Sequence, residues 1–130
     1  MTADTVSRTE PINTETVSRT ARIAALSDRC RHGLDRNARH MITQNLRATL
    51  DQNGPVHGLL ATSRLVKAIR EYQFTADDGP ERDFGAFDFD GHRVCFKVDC
   101  YEPSMEWGAE DPSDASATVR VMTIMLTSDY

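Results

Sequence analysis

The sequence lacks any apolar run long enough to cross a bilayer, and it lacks an apolar segment near its amino terminus. A transmembrane helix needs about 20 predominantly apolar residues, and a secretory signal needs an apolar core of about 7–15. The first residues, MTADTVSRTEPINTE, are polar instead. We therefore expect a soluble, cytoplasmic protein with no membrane partner.

Cysteine is scarce, and its three positions form neither a metal motif nor a disulfide pattern. An odd count without CxxC spacing argues against both. Cys95 and Cys100 lie five residues apart on one predicted strand, so their side chains point to opposite faces of a sheet. Together with Cys30 they are predicted to be buried, reduced thiols, as is usual in a reducing cytosol.

Motifs of catalysis are also missing. The chain contains no glycine-rich phosphate-binding loop, and its histidines lack the HxxxH spacing of many zinc enzymes. Cys95 follows His92 closely, but opposite strand parity separates the two side chains, and a nucleophilic pair needs hydrogen-bond contact. We therefore predict no catalytic residue, no metal ligand and no cofactor, and we favour a non-enzymatic protein.

The composition is that of an ordinary globular protein, since 39% of the 130 residues are apolar and 27% are charged. A chain of this length forms one domain with one core. Residues 1–13 are polar and predict a flexible tail. Residues 14–130 are then a single domain.

Charge is divided unevenly along the chain, although the net value is only −5. Residues 1–72 carry eleven basic and seven acidic side chains, whereas residues 73–130 carry four and thirteen. Phosphate backbones attract Lys and Arg, so the acidic excess argues against direct DNA binding. The acidic excess suits a basic partner, including a protein that itself binds nucleic acid. The alternative is that the charges in both halves of the chain only keep the surface solvated.

Two helices are predicted in the first half of the chain. The first begins near Asn13 or Thr14 and ends at Gly33. Residues 38–52 fit either a helix or a short strand. The second helix spans residues 55–72, and its inward stripe consists of Leu59, Val66 and Ile69.

The clearest element is a β-hairpin, in which residues 83–89 and 92–101 flank Asp90-Gly91, a sequence typical of a type I′ turn. This turn places Phe87 opposite Val94 on an apolar face. On the other face it places opposite charges across the strands, in the pairs Asp88–Arg93 and Arg82–Asp99. The unpaired edge of strand 83–89 could pair with the same strand of a second copy, so a homodimer is an alternative to a monomer.

The chain ends in an acidic loop and a strand. The loop, residues 102–117, precedes residues 118–127, which are apolar on both faces and therefore predict a central strand. The sequence thus predicts an α+β fold, with two main helices packed on one face of a mostly antiparallel sheet of three to four strands.

The acidic loop is the candidate partner-binding site. Aromatic side chains flanked by carboxylates are common anchors in protein interfaces. The alternative is a loop that folds back and buries its tryptophan. The candidate residues are Glu102, Glu106, Trp107, Glu110, Asp111 and Asp114.

Two other functions stay open at this point. Asp99, Lys97 and the loop carboxylates would suit a small metal-dependent nucleic-acid-processing enzyme or toxin-like hydrolase, although the residue order is atypical and the hairpin already pairs Asp99. Arg22, Arg29 and Arg36 recur every seven residues. This stripe would suit a transcriptional or assembly cofactor that binds DNA, although a solvated helix face is the simpler interpretation.

Three linked motifs resemble a known family: FTADDGPERDFGAF, FKVDCYEP and RVMTIMLTSDY, at residues 74–87, 96–103 and 120–130. They are similar to an alphaproteobacterial family filed as domain of unknown function three-seven-six-eight, and the resemblance covers about residues 20–130. The chain departs from the family pattern at three positions where tryptophan, tyrosine and aspartate are expected, namely Phe96, Cys100 and Glu102.

The resemblance implies no catalytic role. Members of that family tend to occur on plasmids and other mobile elements, near genes resembling anti-restriction proteins. We therefore expect a non-enzymatic inhibitor or accessory protein of a mobile genetic element that binds a host defence protein of the CRISPR or restriction type. An acidic surface would act there as a DNA mimic, because it competes with nucleic acid for a basic groove.

Overall fold

A computed structural model of the protein describes residues 14–130, with side chains from residue 18 onward. The predicted tail, residues 1–13, lies outside the described residues. None of the described helices has the length and apolar content that a membrane crossing requires.

The described chain forms three helices and a four-stranded sheet, which confirms the α+β class. In the sheet the strands follow the order β1-β4-β3-β2; β1 is parallel to β4, and the other neighbours are antiparallel. Short 3₁₀ turns cover Ala76–Asp78, Ala115–Ala117 and Thr127–Asp129. The elements are α1 Thr14–Arg31, β1 Arg39–Ile42, α2 Gln44–Leu50, α3 Pro55–Arg70, β2 Phe84–Phe89, β3 His92–Tyr101 and β4 Val119–Leu126.

The segment that fitted either a strand or a helix contains one of each. β1 runs beside β4, and Thr43 leaves the strand in an extended conformation and caps α2, because its Oγ1 accepts a hydrogen bond from the Leu46 amide at 3.4 Å. A serine or threonine cap of this kind permits a helix to start directly after a strand. The strand and the helix that the sequence allowed for residues 38–52 are therefore each present in one part of that segment.

The core lies between the helices and one face of the sheet. It joins Cys30, Leu46 and Leu65 of the three helices to Phe96 and Ile124 of the two central strands. Burial raises the pKa of the Cys30 thiol to about 12, so this cysteine is held as the inert thiol. The three cysteines are all free, but only Cys30 and Cys95 are fully buried.

The predicted inward stripe of α3 is wrong at one position and only partly right at another. Leu59 is 68% exposed and Val66 is half-buried, whereas Ile69 is in the core. The inward face of the helix instead includes Gly58, which lies close to the end of α2: a Cβ there would lie 1.8 Å from Asp51 Oδ1. The inward positions are Gly58, Ala61, Leu65 and Ile69.

The hairpin has the predicted turn and register. Asp90 and Gly91 both have positive φ, at 49° and 83°, as a type I′ turn requires. Phe87 lies opposite Val94. The central position of the last strand is also confirmed, because β4 lies between β1 and β3 with buried residues on both faces.

One charge pair of the hairpin is wrong. Asp88 and Arg93 do pair, at 3.3 Å, but Arg82 does not reach Asp99. Strand β2 begins only at Phe84, and Arg82 has φ 56°, which turns the chain away from the hairpin.

Candidate functional site

The acidic loop begins with a tight chain reversal. Tyr101 and Gly108 form an isolated antiparallel bridge, and the amide of Glu102 donates to the Trp107 carbonyl at 2.9 Å. Met105 closes the reversal with φ 68°. Because both ends of this reversal are tied to β3, the backbone of Trp107 has a fixed position.

The indole of Trp107 points to solvent and is 70% exposed. The alternative in which the loop buries this side chain is therefore wrong. A surface groove of about 460 Å³ contains five of the six predicted residues, and Glu106 is exposed beside them. The five are Glu102, Trp107, Glu110, Asp111 and Asp114.

Two of the aspartates stabilise the loop itself. Asp111 Oδ1 accepts hydrogen bonds from the Ser113 hydroxyl at 2.6 Å and the Ser113 amide at 3.1 Å. Asp114 Oδ1 does the same for Ser116, at 2.7 Å and 3.0 Å. The Ser113 hydroxyl, followed by its amide, holds the pKa of Asp111 below its ordinary value, and Arg19 adds to the effect. These carboxylates hold turns in place, as aspartates in loops commonly do.

Helix α1 contacts the loop through one ion pair. Arg19 Nε and Nη2 each lie 3.3 Å from Asp111 Oδ1, and the two side chains are 46% and 53% exposed. An exposed pair of this kind contributes about 0–1 kcal/mol. It orients the loop against α1 more than it stabilises the fold.

A buried arginine beneath the loop was missed by the sequence analysis. Arg120 is only 1% exposed, and its Nη2 donates to the Pro112 carbonyl. The adjacent Thr118 hydroxyl donates to the Asp111 carbonyl at 3.1 Å. The sequence did contain a signal for this arginine. Arg120 lies on the same face of β4 as the core residues Met122 and Ile124, so its charge interrupts an otherwise apolar, helix-facing side of the strand.

Two glutamates and the tryptophan remain available to a partner. Glu106 and Glu110 are exposed, and their carboxylates make no hydrogen bond to another residue in the described part of the chain. Glu102, by contrast, accepts a hydrogen bond from the Ser104 hydroxyl. The loop therefore presents an exposed indole and, on either side of it in the sequence, two exposed carboxylates that have no partner among the described residues.

The residues of the enzymatic alternative are not assembled into one site. Lys97 Nζ lies 3.0 Å from Asp99 Oδ2 on β3, and Asp99 is not among the residues of the loop groove. The hydrogen bond that Lys97 donates to Asp99 is the main cause of the raised pKa of Lys97. Within the described residues, no three His, Cys, Asp or Glu side chains are grouped to hold a metal ion.

The arginine stripe is an exposed surface of α1 and the turn after it. Arg22 donates to the Ser18 hydroxyl at 2.9 Å, and Arg29 donates to the Leu34 carbonyl at 3.0 Å. Arg36 is exposed as well. These contacts are local, and they leave the positive charges in solvent.

The fold and the loop define an α+β protein with an acidic, aromatic surface next to the last strand. The family model DUF3768, described as a protein of unknown function, matches residues 42–129. The chain therefore belongs to this family. The match includes the acidic loop but not α1. No curated protein and no solved structure matches the chain.

Proposed function

We propose that the protein is a non-enzymatic, cytoplasmic binding protein that recognises a basic partner through Glu106, Trp107 and Glu110. The observation that carries this proposal is the exposure of Trp107 together with that of Glu106 and Glu110, which flank it in the sequence. Large aromatic side chains anchor protein interfaces when a partner desolvates them, and flanking charges set orientation and association rate.

The preformed loop supports this proposal energetically. Part of the free energy of association is spent on ordering loops and side chains at the interface. Here the Tyr101–Gly108 bridge and the carboxylate-capped turns at Asp111 and Asp114 have already ordered the backbone. Less of the binding free energy is therefore lost when a partner docks.

The acidic surface also suggests the class of partner. A partner of this class would use a basic groove to bind nucleic acid. The acidic loop would compete with the nucleic acid for that groove. A host defence protein of the CRISPR or restriction type fits that description. This part of the proposal follows the mobile-element context that the family resemblance implies.

The test is affinity capture from a host lysate with the wild-type protein and with the double charge reversal Glu106→Lys, Glu110→Lys. We expect wild type to enrich a basic nucleic-acid-binding protein, and the reversal to lose it. The purified partner should then quench or shift the fluorescence of Trp107, which is the sole tryptophan. Duplex DNA should compete with the loop and release the protein from this partner.

The matched control is Glu71→Lys, Asp77→Lys, which makes the same charge change at two exposed acids outside the loop. This variant should still capture the partner. Equal loss in both variants would mean that net charge, and not the loop, governs binding. Unchanged capture by the loop variant would overturn the proposal.

A further inference from the structure

A second cleft shares no residue with the groove of the acidic loop. It is bounded by the α2–α3 connection, by α3 and by the hairpin turn, and its volume is about 270 Å³. Its floor is apolar and buried, and the floor residues are Leu46, Leu50, Ala61 and Val94.

Four polar side chains line this cleft without an internal partner. Gln52 and Asn53 come from the turn before α3, His57 from its first turn, and His92 from the start of β3. None of the four side chains makes a hydrogen bond to another residue in the described range. Two amides and two imidazoles therefore supply both donors and acceptors above an apolar floor.

The one charged pair at the cleft is internally neutralised. Arg64 binds Asp90 through two parallel hydrogen bonds, Nη1–Oδ1 at 3.1 Å and Nη2–Oδ2 at 2.8 Å. The same guanidinium lies 5.2 Å from the ring centre of Phe89. Because its charge is satisfied by Asp90, this arginine is a poor anchor for an anion, and the cleft favours an uncharged ligand.

We propose that this cleft binds a nucleobase. One face of a base can cover the small apolar area that stays accessible at the floor, and the edge of a base carries alternating donors and acceptors, which an Asn or Gln side chain reads through two hydrogen bonds. Histidine rings also stack on unpaired bases. The volume lies just below the usual range for small-molecule pockets, about 300–1,000 Å³, which fits one base better than a larger ligand.

The proposal is independent of the binding function of the acidic loop, because no residue is shared between the two sites. Two sources present the same chemistry: a free nucleoside, or an unstacked base of a single strand. The two differ in affinity, since a strand adds contacts outside the cleft and a free nucleoside does not.

The experiment is a titration of the isotopically labelled full chain with adenosine, guanosine, cytidine and uridine, followed by amide resonances. At millimolar ligand, at least one nucleoside should shift the amides of residues 49–53, 57 and 90–92. A short single-stranded oligonucleotide of the same base identifies the source: tighter binding indicates a strand, and equal or weaker binding indicates the free nucleoside. No shift at these amides with any nucleoside or oligonucleotide overturns the proposal.

Variants assign the effect to the cleft. Gln52→Ala, Asn53→Ala should weaken binding about fivefold or more, since each paired amide contact to a base contributes on this scale. The matched variant Asn37→Ala, Gln44→Ala removes two exposed amides elsewhere and should bind as wild type does. The same spectra report whether each variant is folded. Equal affinity in both variants contradicts the proposal.

Discussion

Asp28 and Arg82 are paired across the fold, with Arg82 Nε 2.8 Å from Asp28 Oδ1. Arg31 donates to the same oxygen at 2.7 Å, so one carboxylate of α1 holds two guanidinium groups. Both guanidinium groups also lie against the ring of Phe74, at 4.7 Å for Arg31 and 4.2 Å for Arg82. This cluster joins α1 to the segment before the hairpin.

Loss of the Asp28 charge should destabilise the protein. Arg31 is 2% exposed, and Asp28→Asn would leave its buried charge without a counter-ion. Breaking such a pair costs about 3–5 kcal/mol, and the partial exposure of Asp28 favours the lower end. Urea unfolding of the variant checks this value. The surface variant Asp88→Asn should change the unfolding free energy by less than about 1 kcal/mol; equal effects would contradict the account.

The same cluster should produce a pH dependence. Burial raises the pKa of Asp28, but hydrogen bonds and charge from Arg82 and Arg31 outweigh this effect and hold its pKa below the ordinary value of 3.8. A carboxyl whose folded pKa is depressed stabilises the fold above its unfolded pKa, and this contribution is lost as pH falls through the folded pKa. The difference in unfolding free energy between wild type and Asp28→Asn should therefore be constant above about pH 5 and shrink below pH 3.8. A difference that grows on acidification would contradict the assignment.

Sequence reasoning recovered the parts of this fold that local pattern determines. The Asp90-Gly91 turn fixes the hairpin register, because only certain residues tolerate positive φ at both positions. It failed for Arg82, because its partner Asp28 is 54 residues away, and for Leu59, because the inward face of α3 includes Gly58, which an apolar pattern does not mark. The loop residues could be identified from composition alone, whereas the cleft that contains His57 and His92 exists only after α3 packs beside the hairpin.

Gly85 should be intolerant of a side chain for reasons of space. A Cβ at this position would lie 2.6 Å from Tyr72 Cε2 and 2.7 Å from Phe96 Cε1, and neither packed ring can move freely. Overpacking of this kind costs about 1–3 kcal/mol, which we expect for Gly85→Ala in urea unfolding. Gly108→Ala is the control, since its nearest atom is the Cys100 carbonyl oxygen at 3.9 Å. Equal stability of the two variants would show that the rings repack at little cost.

Arg120 should hold the loop without stabilising the whole fold. Its Nε has no hydrogen-bond partner among the described residues, so part of the cost of burying its charge is not offset. Burial of a charge carries a desolvation cost of several kcal/mol, which an apolar side chain of similar size does not have. For Arg120→Met we therefore expect an unfolding free energy within about 1 kcal/mol of wild type, but faster amide hydrogen exchange in residues 111–118. Unchanged exchange would mean that the Pro112 contact does not restrain the loop.

Trp107 should contribute to binding and not to folding. A side chain that is 70% exposed loses few contacts on truncation, and surface substitutions usually change stability by less than about 0.5 kcal/mol. We expect Trp107→Ala to unfold within that margin of wild type. In the wild-type protein, acrylamide should quench the indole nearly as efficiently as it quenches a free tryptophan derivative, and urea should change the emission maximum little. Protected, blue-shifted emission would mean that the loop packs its tryptophan inward in solution, and it would remove the anchor of the proposed interface.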